Sequence, residues 1–421
     1  MKRASNEGFG SYDELQQYKL SEAAHLSSLP DGGAVVKHLI TKRSYKLGAK
    51  EHQVLRAVRS GAEPGREEFE GIDSQFAASV LRFLRDKYLV VAKDYSVIND
   101  FLLIEPATPL WGQFASFEMC RGGDVCYVGI PYGWGSNASG TTKDAPRAIR
   151  NWLNSQRLSQ KNILREKNIA QYFPYQLEKR AKALQTLHQQ ERVKDLGDFY
   201  IYQYEDPTAV FARLEKLAAD MIGRGLIPIF IGGDHSITSS VLKGLVSQLP
   251  ELCVLHFDAH SDCYQTAVDT IFENVSNNHH GNFLSRALSE CEGIRHAYQW
   301  GIRGINNLGS ELPPRITSRN AAELIHLLQA DQLDKIPNDL PIYITIDIDV
   351  LDPTIAPGTG SPIPGGITWD HLFLALDKLL QNKRVVGMDV VELDPSGDTR
   401  GITVQGTAHL LSLLPGFVEA I

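Results

Sequence analysis

The chain has 421 residues, of which 43% are hydrophobic and 22% are charged, as in an ordinary globular protein. Its net charge of −8 argues against a general nucleic-acid-binding protein, whose surface would be basic, and no apolar stretch reaches the roughly 20 residues that span a bilayer. The five cysteines lack CxxC spacing, and the N-terminus lacks the apolar core of a secretory signal. We therefore expect a protein of the reducing cytoplasm. We expect neither nucleic acid nor a membrane as its partner.

The first hundred residues predict a small domain in front of a larger one. Residues 1–33 are polar and are expected to form an N-terminal arm. Residues 34–100 combine short apolar strands with two amphipathic helices, predicted over 50–59 and 74–87, and a returning strand at 90–92. This order of helix, turn, helix and strand is typical of a winged-helix-like module.

Three roles are open for the winged-helix-like module. It could be a cap that packs on an enzyme or builds an oligomer contact. Similar small domains in enzymes that modify ribosomally made peptides bind a leader peptide along a strand edge, so peptide recognition is a second role. DNA binding is the least favoured role, because the second helix carries Asp73 and Asp86 beside its Arg82, Arg85 and Lys87.

The main domain is predicted over residues 124–421, after a linker at 101–123. Residues 125–131 read as a buried strand, and an amphipathic helix over 207–225 leads to another strand at 227–231. Strands that alternate with helices imply a mainly parallel sheet covered on both faces. The active site of such an α/β domain lies beyond the carboxyl ends of the strands.

Acidic residues and histidines follow these apolar strands at every second position. Side chains two residues apart on a strand share a face, so those of segment 258–262 converge, as do those of 347–349. Buried carboxylates are costly unless cations neutralise them. The sequence therefore predicts a metal site with two imidazole and four carboxylate ligands. These ligands are His235, Asp258, His260, Asp262, Asp347 and Asp349.

The number of carboxylates favours two metal ions over one. Four carboxylates carry the charge that two divalent ions neutralise, whereas a single zinc ion needs only three or four ligands. Mixed oxygen and nitrogen ligation without thiolate favours two Mn²⁺ ions, with Ni²⁺, Co²⁺ or Zn²⁺ as alternatives. Two ions about 3.5–4 Å apart lower the pKa of a shared water into the neutral range.

Four motifs in colinear order resemble the signatures of the arginase/agmatinase, or ureohydrolase, family. They are GGDHS at 232–236, DAHSD at 258–262, DIDVLDP at 347–353 with GTGSPIPGG at 358–366, and GMDVVELDP at 387–395. The resemblance extends over 124–421. It implies an arginase-like three-layer α/β/α fold with a mainly parallel sheet, and a dimanganese centre on the six ligands above. It also implies hydrolysis of a guanidino group to urea, and a homotrimer or homohexamer.

The resemblance also implies roles for individual residues. His280 matches the family's proton-shuttling histidine, with the neighbouring His279 as the alternative. Glu392 matches the glutamate that pairs with the guanidinium, as a carboxylate facing a planar cation should. Asp258 joins these two as a catalytic residue, because it is expected to bridge or flank the ions. Asp352, which precedes a proline, is predicted to form a turn, as is Asp394.

Two loops depart from the arginase pattern and bear on the substrate. In the loop that matches 301–306, Gly304 and Asn306 replace the carboxylates with which arginases hold the free amino-acid end of the substrate. The loop between 262 and 280 is longer than in arginases and carries polar residues. Together with Asn306 and Glu392, its Ser276 and Asn278 are predicted to bind substrate.

Compared with arginases, this site thus lacks an obvious partner for the ammonium group of free arginine. An arginine side chain within a peptide, which would become ornithine, is one possible substrate, because the N-terminal module offers a second docking surface. The alternative is a small guanidino compound such as agmatine, guanidinobutyrate, guanidine or free arginine. Two other functions stay open: a non-catalytic regulator that senses a guanidino ligand, and a deacetylase-type amidohydrolase with one zinc ion.

Overall fold

The computed structural model describes residues 15, 17–40, 42–59, 72–93, 103–104, 109–110, 113–136, 140–155, 178–203, 205–264, 278–305 and 312–418. The chain forms two compact units, Met1–Ile104 and Glu105–Ile421. Among the described helices, none combines the length and the apolar character needed to cross a membrane.

The first unit is built from short strands and two helices. In the described residues these are β1 (Tyr18–Leu20), β2 (Ala24–Ser28), β3 (Ala34–His38), β4 (Ser44–Leu47), α1 (Ala49–Arg59), α2 (Ser74–Asp86) and β5 (Val90–Ala92). Strands β2, β3 and β4 form an antiparallel sheet in that order, and β1 pairs antiparallel with β5. Helix α2 begins at Asp73, whose side chain accepts hydrogen bonds from two backbone N–H groups of the first turn. Val54 and Leu55 of α1 pack with Leu81 and Leu84 of α2 in one core.

Part of the predicted N-terminal arm is ordered structure. Strands β1 and β2 lie within 1–33, and Leu20 and Leu26 pack against the core of the unit. Three- and five-residue strands carry too little alternation to be recognised before their partners are known. The helices over 49–59 and 74–86 match those expected from the apolar spacing, whereas the winged-helix assignment of 34–100 stays a prediction.

The second unit alternates strands and helices. Beside β6 (Leu103–Ile104), which ends the first unit, the described elements of the second unit are β7 (Gln113–Phe114), β8 (Val125–Gly129), α3 (Ala145–Ser155), α4 (Glu178–Gln189), β9 (Val193–Phe199), α5 (Pro207–Gly223), β10 (Ile227–Ile231), α6 (Ile237–Gln248), β11 (Leu252–Phe257), α7 (Phe283–Glu290), β12 (Ile294–Ile302), β13 (Ile316–Asn320), α8 (Ala321–Ala330), β14 (Ile342–Asp347), α9 (Trp369–Leu379), β15 (Val385–Val391) and α10 (Ile402–Leu413).

The strands of the second unit form one sheet in the order β13-β12-β11-β14-β15-β10-β8-β9, with β7 also paired to β9. The pairs from β13 across to β9 are parallel. Every residue of β8, β10, β11, β14 and β15 is buried, so both faces of the central sheet are covered. The predicted mainly parallel α/β sheet is confirmed.

The predicted linker over 101–123 also contains strands. They are β6 and β7, and β7 joins the sheet beside β9, where Phe114 pairs with Asp195. Two-residue strands have no periodicity of their own, so composition alone does not distinguish them from a connecting segment.

One close backbone approach fixes the loop that follows β10. A Cβ atom on Gly233 would lie 1.6 Å from the carbonyl oxygen of Tyr132, so only glycine fits there. The N–H of Gly233 donates to the carbonyl oxygen of Ile130 at 2.9 Å. The loop over 232–236 is therefore held against the end of β8.

Candidate metal centre

Four neighbouring strands deliver the functional side chains to one edge of the sheet. The order β11-β14-β15-β10 brings their carboxyl ends together. Asp258 follows β11, Asp347 ends β14, Glu392 follows β15, and His235 lies in the turn between β10 and α6. Side chains from the ends of neighbouring strands therefore converge, as well as side chains from the same strand.

The six predicted ligands lie in two groups that share Asp258. In the first group, Nδ1 of His235 lies 3.1 Å from Oδ2 of Asp258, 3.0 Å from Oδ2 of Asp262 and 3.5 Å from Oδ2 of Asp347. In the second, Nδ1 of His260 lies 2.8 Å from Oδ2 of Asp349 and 3.5 Å from Oδ1 of Asp258. The two oxygens of Asp258 thus face different groups.

The first group fits a cation better than a hydrogen-bonded cluster. Nδ1 of His235 is buried and, among the described residues, makes no hydrogen bond, although three carboxylate oxygens surround it. On the other side of the ring, Nε2 lies 2.8 Å from the hydroxyl oxygen of Thr345, which donates its hydrogen to Asp389 at 2.5 Å. The hydroxyl can then only accept from Nε2–H, so in the neutral imidazole Nδ1 is left with a lone pair directed at the carboxylates.

The charge of the cluster also favours a bound cation. Burial raises the pKa of Asp347 well above its ordinary value, and the neighbouring carboxylates of Asp349 and Asp258 raise it further. Burial alone would lower the pKa of His235, but the carboxylates of Asp258, Asp262 and Asp347 raise it well above the usual value. Four crowded carboxylates ionise together only when positive charge lies among them, which divalent ions supply.

Asp389 anchors the residues behind His235. This carboxylate is fully buried in β15 and accepts hydrogen bonds from three hydroxyl groups. They are those of Thr345 at 2.5 Å, Tyr343 at 2.6 Å and Thr238 at 2.8 Å. Sequence reasoning quoted Asp389 within a motif but gave it no role.

His256 is a second residue that sequence reasoning missed. Its Nε2 lies 2.8 Å from Oδ2 of Asp258, and its Nδ1 lies 3.0 Å from Nε2 of Gln299. The same amide nitrogen donates to the carbonyl oxygen of Ser261 at 2.7 Å. The two amide hydrogens thus go to Ser261 and to Nδ1, which leaves Nε2–H of His256 to donate to Asp258. Its place two residues before Asp258 on one strand was the available signal.

His280 and Glu392 form a pair next to the ligand groups. Nδ1 of His280 lies 3.3 Å from Oε1 of Glu392, and the same oxygen accepts a hydrogen bond from the backbone N–H of His235 at 2.9 Å. Burial lowers the pKa of His280, but the carboxylate of Glu392 raises it more, to about 9. His279 instead engages Asn282 in a cap at the start of the next helical turn.

His280 and Glu392 line one cavity of about 230 Å³ together with four of the six predicted ligands. Its lining consists of His260, Asp262, Tyr264, His279, His280, Gly281, Asp347, Asp349, Thr359, Ser361 and Glu392. Asn278 is buried and donates from Nδ2 to the carbonyl oxygen of Ser236 at 2.9 Å, so its amide holds a loop instead of lining the cavity. Ser276 and Asn306, the other predicted substrate-binding residues, lie outside the described residues.

Two acidic residues of the site have backbone conformations that favour glycine. Asp262 has φ of 48° and Glu392 has φ of 61°, both in the left-handed region. Such a conformation costs a residue with a Cβ atom about 1–2 kcal/mol. The surrounding hydrogen bonds, such as that from Glu392 N–H to the carbonyl oxygen of Gly233 at 2.9 Å, hold it in place.

Arg303 supports the Asp349 segment from outside the cavity. Its guanidinium donates to the carbonyl oxygens of Asp349 at 2.6 Å and Leu351 at 3.2 Å, at the end of the 3₁₀ turn that follows β14. It also donates to the carbonyl oxygen of Ile363 at 2.7 Å. One side chain therefore links β12 to two loops of the site.

Comparison with known proteins shows which family the second unit matches. The model of the arginase family matches residues 123–414. Agmatinase of Escherichia coli (strain SE11) is 30% identical over 294 residues, which cover 68% of this chain and 85% of that protein. Agmatinase of Serratia proteamaculans (strain 568) is 33% identical over 234 residues, covering 53% of this chain and 70% of that protein.

Solved structures show the same fold. Proclavaminate amidino hydrolase from Streptomyces clavuligerus aligns with a TM-score of 0.57 and 25% identity, over 74% of this chain and 97% of that one. Agmatine ureohydrolase of Thermoplasma volcanium aligns with a TM-score of 0.55 and 24% identity, over 75% and 96%. The arginase-like α/β fold expected from the motifs is confirmed.

Proposed function

The chain belongs to the arginase family of ureohydrolases, which act on C–N bonds of amidines, and from this premise we propose that it hydrolyses a guanidino group to urea with two bound divalent ions. The observation that carries the proposal is the pairing of Glu392 with His280 in the cavity lined by ligand carboxylates. A cation-binding carboxylate, a proton donor and an ion site are the parts that this reaction needs.

The two groups that share Asp258 are the proposed ion sites. His235, Asp262 and Asp347 would complete the first, and His260 and Asp349 the second. Oxygen and nitrogen ligands without thiolate favour Mn²⁺, with Ni²⁺, Co²⁺ or Zn²⁺ as alternatives. When bound, such a pair of ions supplies Lewis acidity and lowers the pKa of a water held between them.

The protein residues bind the substrate and move one proton. Glu392 pairs with the planar guanidinium and orients its carbon toward the ligand cluster. A water oxygen joins this carbon as the bond to the substituted nitrogen breaks. Protonated His280, which faces the same carboxylate, donates its proton to the departing nitrogen. Of the two protons that the water releases, one goes to the departing amine and one returns to His280, so that guanidinium and water become urea and an alkylammonium ion.

We propose an arginine side chain within a peptide, converted to ornithine, as the substrate. Support comes from Gly304, at the position where arginases place a carboxylate for the free ammonium group. A Cβ atom there would lie 2.9 Å from Cδ1 of Ile363, so no larger side chain fits without displacement. The separate first unit, with edge strands β2 and β4, offers a surface on which an extended peptide can add a strand.

A small guanidino compound is the second candidate, because the relatives at 30% and 33% identity are named agmatinase. Agmatine has no carboxylate and needs fewer polar contacts beyond the guanidinium. For either substrate we propose a cytoplasmic enzyme that works as a homotrimer or homohexamer, a state that light scattering of the full chain measures directly.

The decisive experiment is a urea-release screen on the full chain loaded with Mn²⁺ or Ni²⁺. Substrates are arginine, agmatine, guanidinobutyrate, guanidine and arginine-containing peptides with free or blocked termini. We expect turnover of a blocked peptide, with ornithine in the product by mass spectrometry. Turnover of agmatine but of no peptide would support the second candidate. Binding without urea from any substrate would leave only the guanidino-sensing regulator, and one bound metal per chain would favour the deacetylase-type alternative.

A further inference from the structure

Thr359 belongs to the lining of the cavity in which the guanidinium site is proposed. The residue is only 7% exposed, and among the described residues its Oγ1 has no hydrogen-bond partner. Thr359 lines the same cavity as Glu392 and His280. A buried hydroxyl without a partner is unfavourable, so a native site usually supplies one from water or a ligand.

The loop that carries Thr359 is fixed beside Glu392. Thr359 pairs as an antiparallel bridge with Leu393, the residue after Glu392. The preceding Gly358 donates its N–H to the hydroxyl oxygen of Thr403 at 2.7 Å and accepts from the N–H of Asp394 at 2.9 Å. The backbone that carries the hydroxyl is thus fixed before a substrate arrives.

Guanidinium needs more acceptors than Glu392 provides. An alkylguanidinium has five N–H donors and no acceptor, and one carboxylate takes at most two of them in a bidentate pair. Oε1 of Glu392 already accepts the backbone N–H of His235 and contacts His280. A hydroxyl oxygen on the adjacent loop offers an acceptor for a further N–H group.

We propose that Thr359 is a substrate-binding residue whose hydroxyl accepts an N–H group of the guanidinium held by Glu392. This inference rests on the proposed function and names a second recognition group for the same site. Because the hydroxyl can accept without carrying charge, it adds directional recognition of the cation and leaves the charge balance at the ligand cluster unchanged.

The test compares Thr359→Val, which keeps the shape and removes the hydroxyl, with Thr359→Ser, which keeps the hydroxyl. Losing a hydrogen bond to a charged group should lower kcat/KM of T359V by about 10- to 100-fold. T359S should stay within about threefold of the wild type. The inhibition constant for guanidinium chloride, a probe that contains only the head group, should rise in T359V by a similar factor.

A matched control is Thr407→Val. Thr407 is also buried, and its hydroxyl also lacks a partner among the described residues, but it lies in α10 and does not line the cavity. T407V should keep the wild-type kcat/KM. Bound metal and melting temperature, measured on every variant, separate lost recognition from a damaged cluster or fold.

Unchanged kcat/KM and guanidinium inhibition in T359V would overturn the inference and leave the proposed function intact. An equal loss in T359S and T359V would also overturn it, because the shape of the side chain would then matter and not the hydroxyl. Absence of urea release by the wild type from every guanidino substrate is a different result, and it contradicts the proposed function itself.

Discussion

Nδ1 of His280 lies 3.3 Å from Oε1 of Glu392, so the proposed proton donor and the proposed guanidinium-binding residue are each other's neighbours. The carboxylate keeps the imidazole protonated, because it raises the pKa of His280 to about 9 against the opposing effect of burial. A guanidinium bound at Glu392 would neutralise that carboxylate. The pKa of His280 should then fall, and its proton becomes easier to transfer when substrate is present.

This pair predicts a specific pH dependence. With a pKa of about 9, His280 is largely protonated at neutral pH and loses its proton as the pH rises through about 9. The alkaline limb of kcat/KM should therefore lie near pH 9, and that of kcat, which reports the substrate complex, at lower pH. His280→Asn should lower kcat by about 10²- to 10⁴-fold and remove the limb.

His279→Asn is the matched control for His280, because both histidines line the cavity. It should keep the alkaline limb and most of the activity, since its ring is engaged with Asn282. Loss of the limb in H279N together with its retention in H280N would reverse the assignment.

Asp258→Asn should remove both the metal and the activity. Asp258 contacts His235 in one ligand group and His260 in the other, so a neutral amide weakens both sites at once. Elemental analysis should find fewer than two ions per chain, and urea release should drop below detection. Asp334→Asn, at a pair with Arg319, should change neither quantity. Two ions and normal turnover in D258N would refute the assignment.

His256→Leu should weaken metal binding without removing the site. The Nε2–H of His256 donates to Asp258, and residues that orient ligands in this way contribute about 10- to 100-fold to metal affinity. Gln299→Leu removes the hydrogen bond that fixes which ring nitrogen of His256 carries the hydrogen. It should therefore lower the metal affinity too, but by less. Excess Mn²⁺ should restore activity in both variants. A failure of excess metal to rescue H256L would mean that His256 is itself a ligand.

Arg303→Lys should loosen the Asp349 segment. A lysine ammonium cannot reproduce the planar set of hydrogen bonds to the carbonyl oxygens of Asp349 and Ile363. We expect a melting temperature lower by a few degrees, about 2–4 °C for each kcal/mol lost in a domain of this size, and a reduced kcat/KM. Arg295→Lys, at an exposed pair with Glu251, provides the comparison and should change neither. Equal melting temperatures for both variants would contradict this role.

Asp352 should stabilise the fold in a pH-dependent way. The hydroxyl of Thr354 and then the backbone N–H groups of Thr354, Gly365 and Gly366 lower the pKa of Asp352 from 3.8 to about 2, as fits its predicted turn. Its contribution is therefore present above pH 3.8 and is lost as the pH falls through 2. Asp352→Asn should melt on the order of 2 °C lower at pH 7. The difference should shrink toward pH 3, and a constant difference would refute the linkage.

The alternation of side chains along single strands was sufficient to predict that five of the six proposed ligands converge at one edge of the sheet, and His235 was added from the turn after the strand at 227–231. Alternation was not sufficient for the residues behind them, because these depend on how neighbouring strands align. His256 and Gln299 are register partners of β11 and β12, and Thr345 and Asp389 are register partners of β14 and β15. Register between distant strands is a property of the folded sheet, which local periodicity does not contain.

The short strands in the predicted arm and linker were missed for a related reason. Strand β1 gains its hydrogen bonds from β5, whose register partner for Leu20 is Val90, far along the chain. A three-residue segment forms a strand only because that partner is present, so its own residues give little signal. Helices α1 and α2 were predicted because their apolar spacing is local.

The left-handed backbone at Asp262 and Glu392 places stability and the proposed activity in conflict at these two positions. At both positions glycine or asparagine would relieve the conformation, yet in the proposed function the ions and the guanidinium need carboxylates there. Selection of variants for heat resistance alone would thus favour substitutions at 262 and 392 that raise the melting temperature and abolish turnover. Selection for turnover must accompany any such campaign.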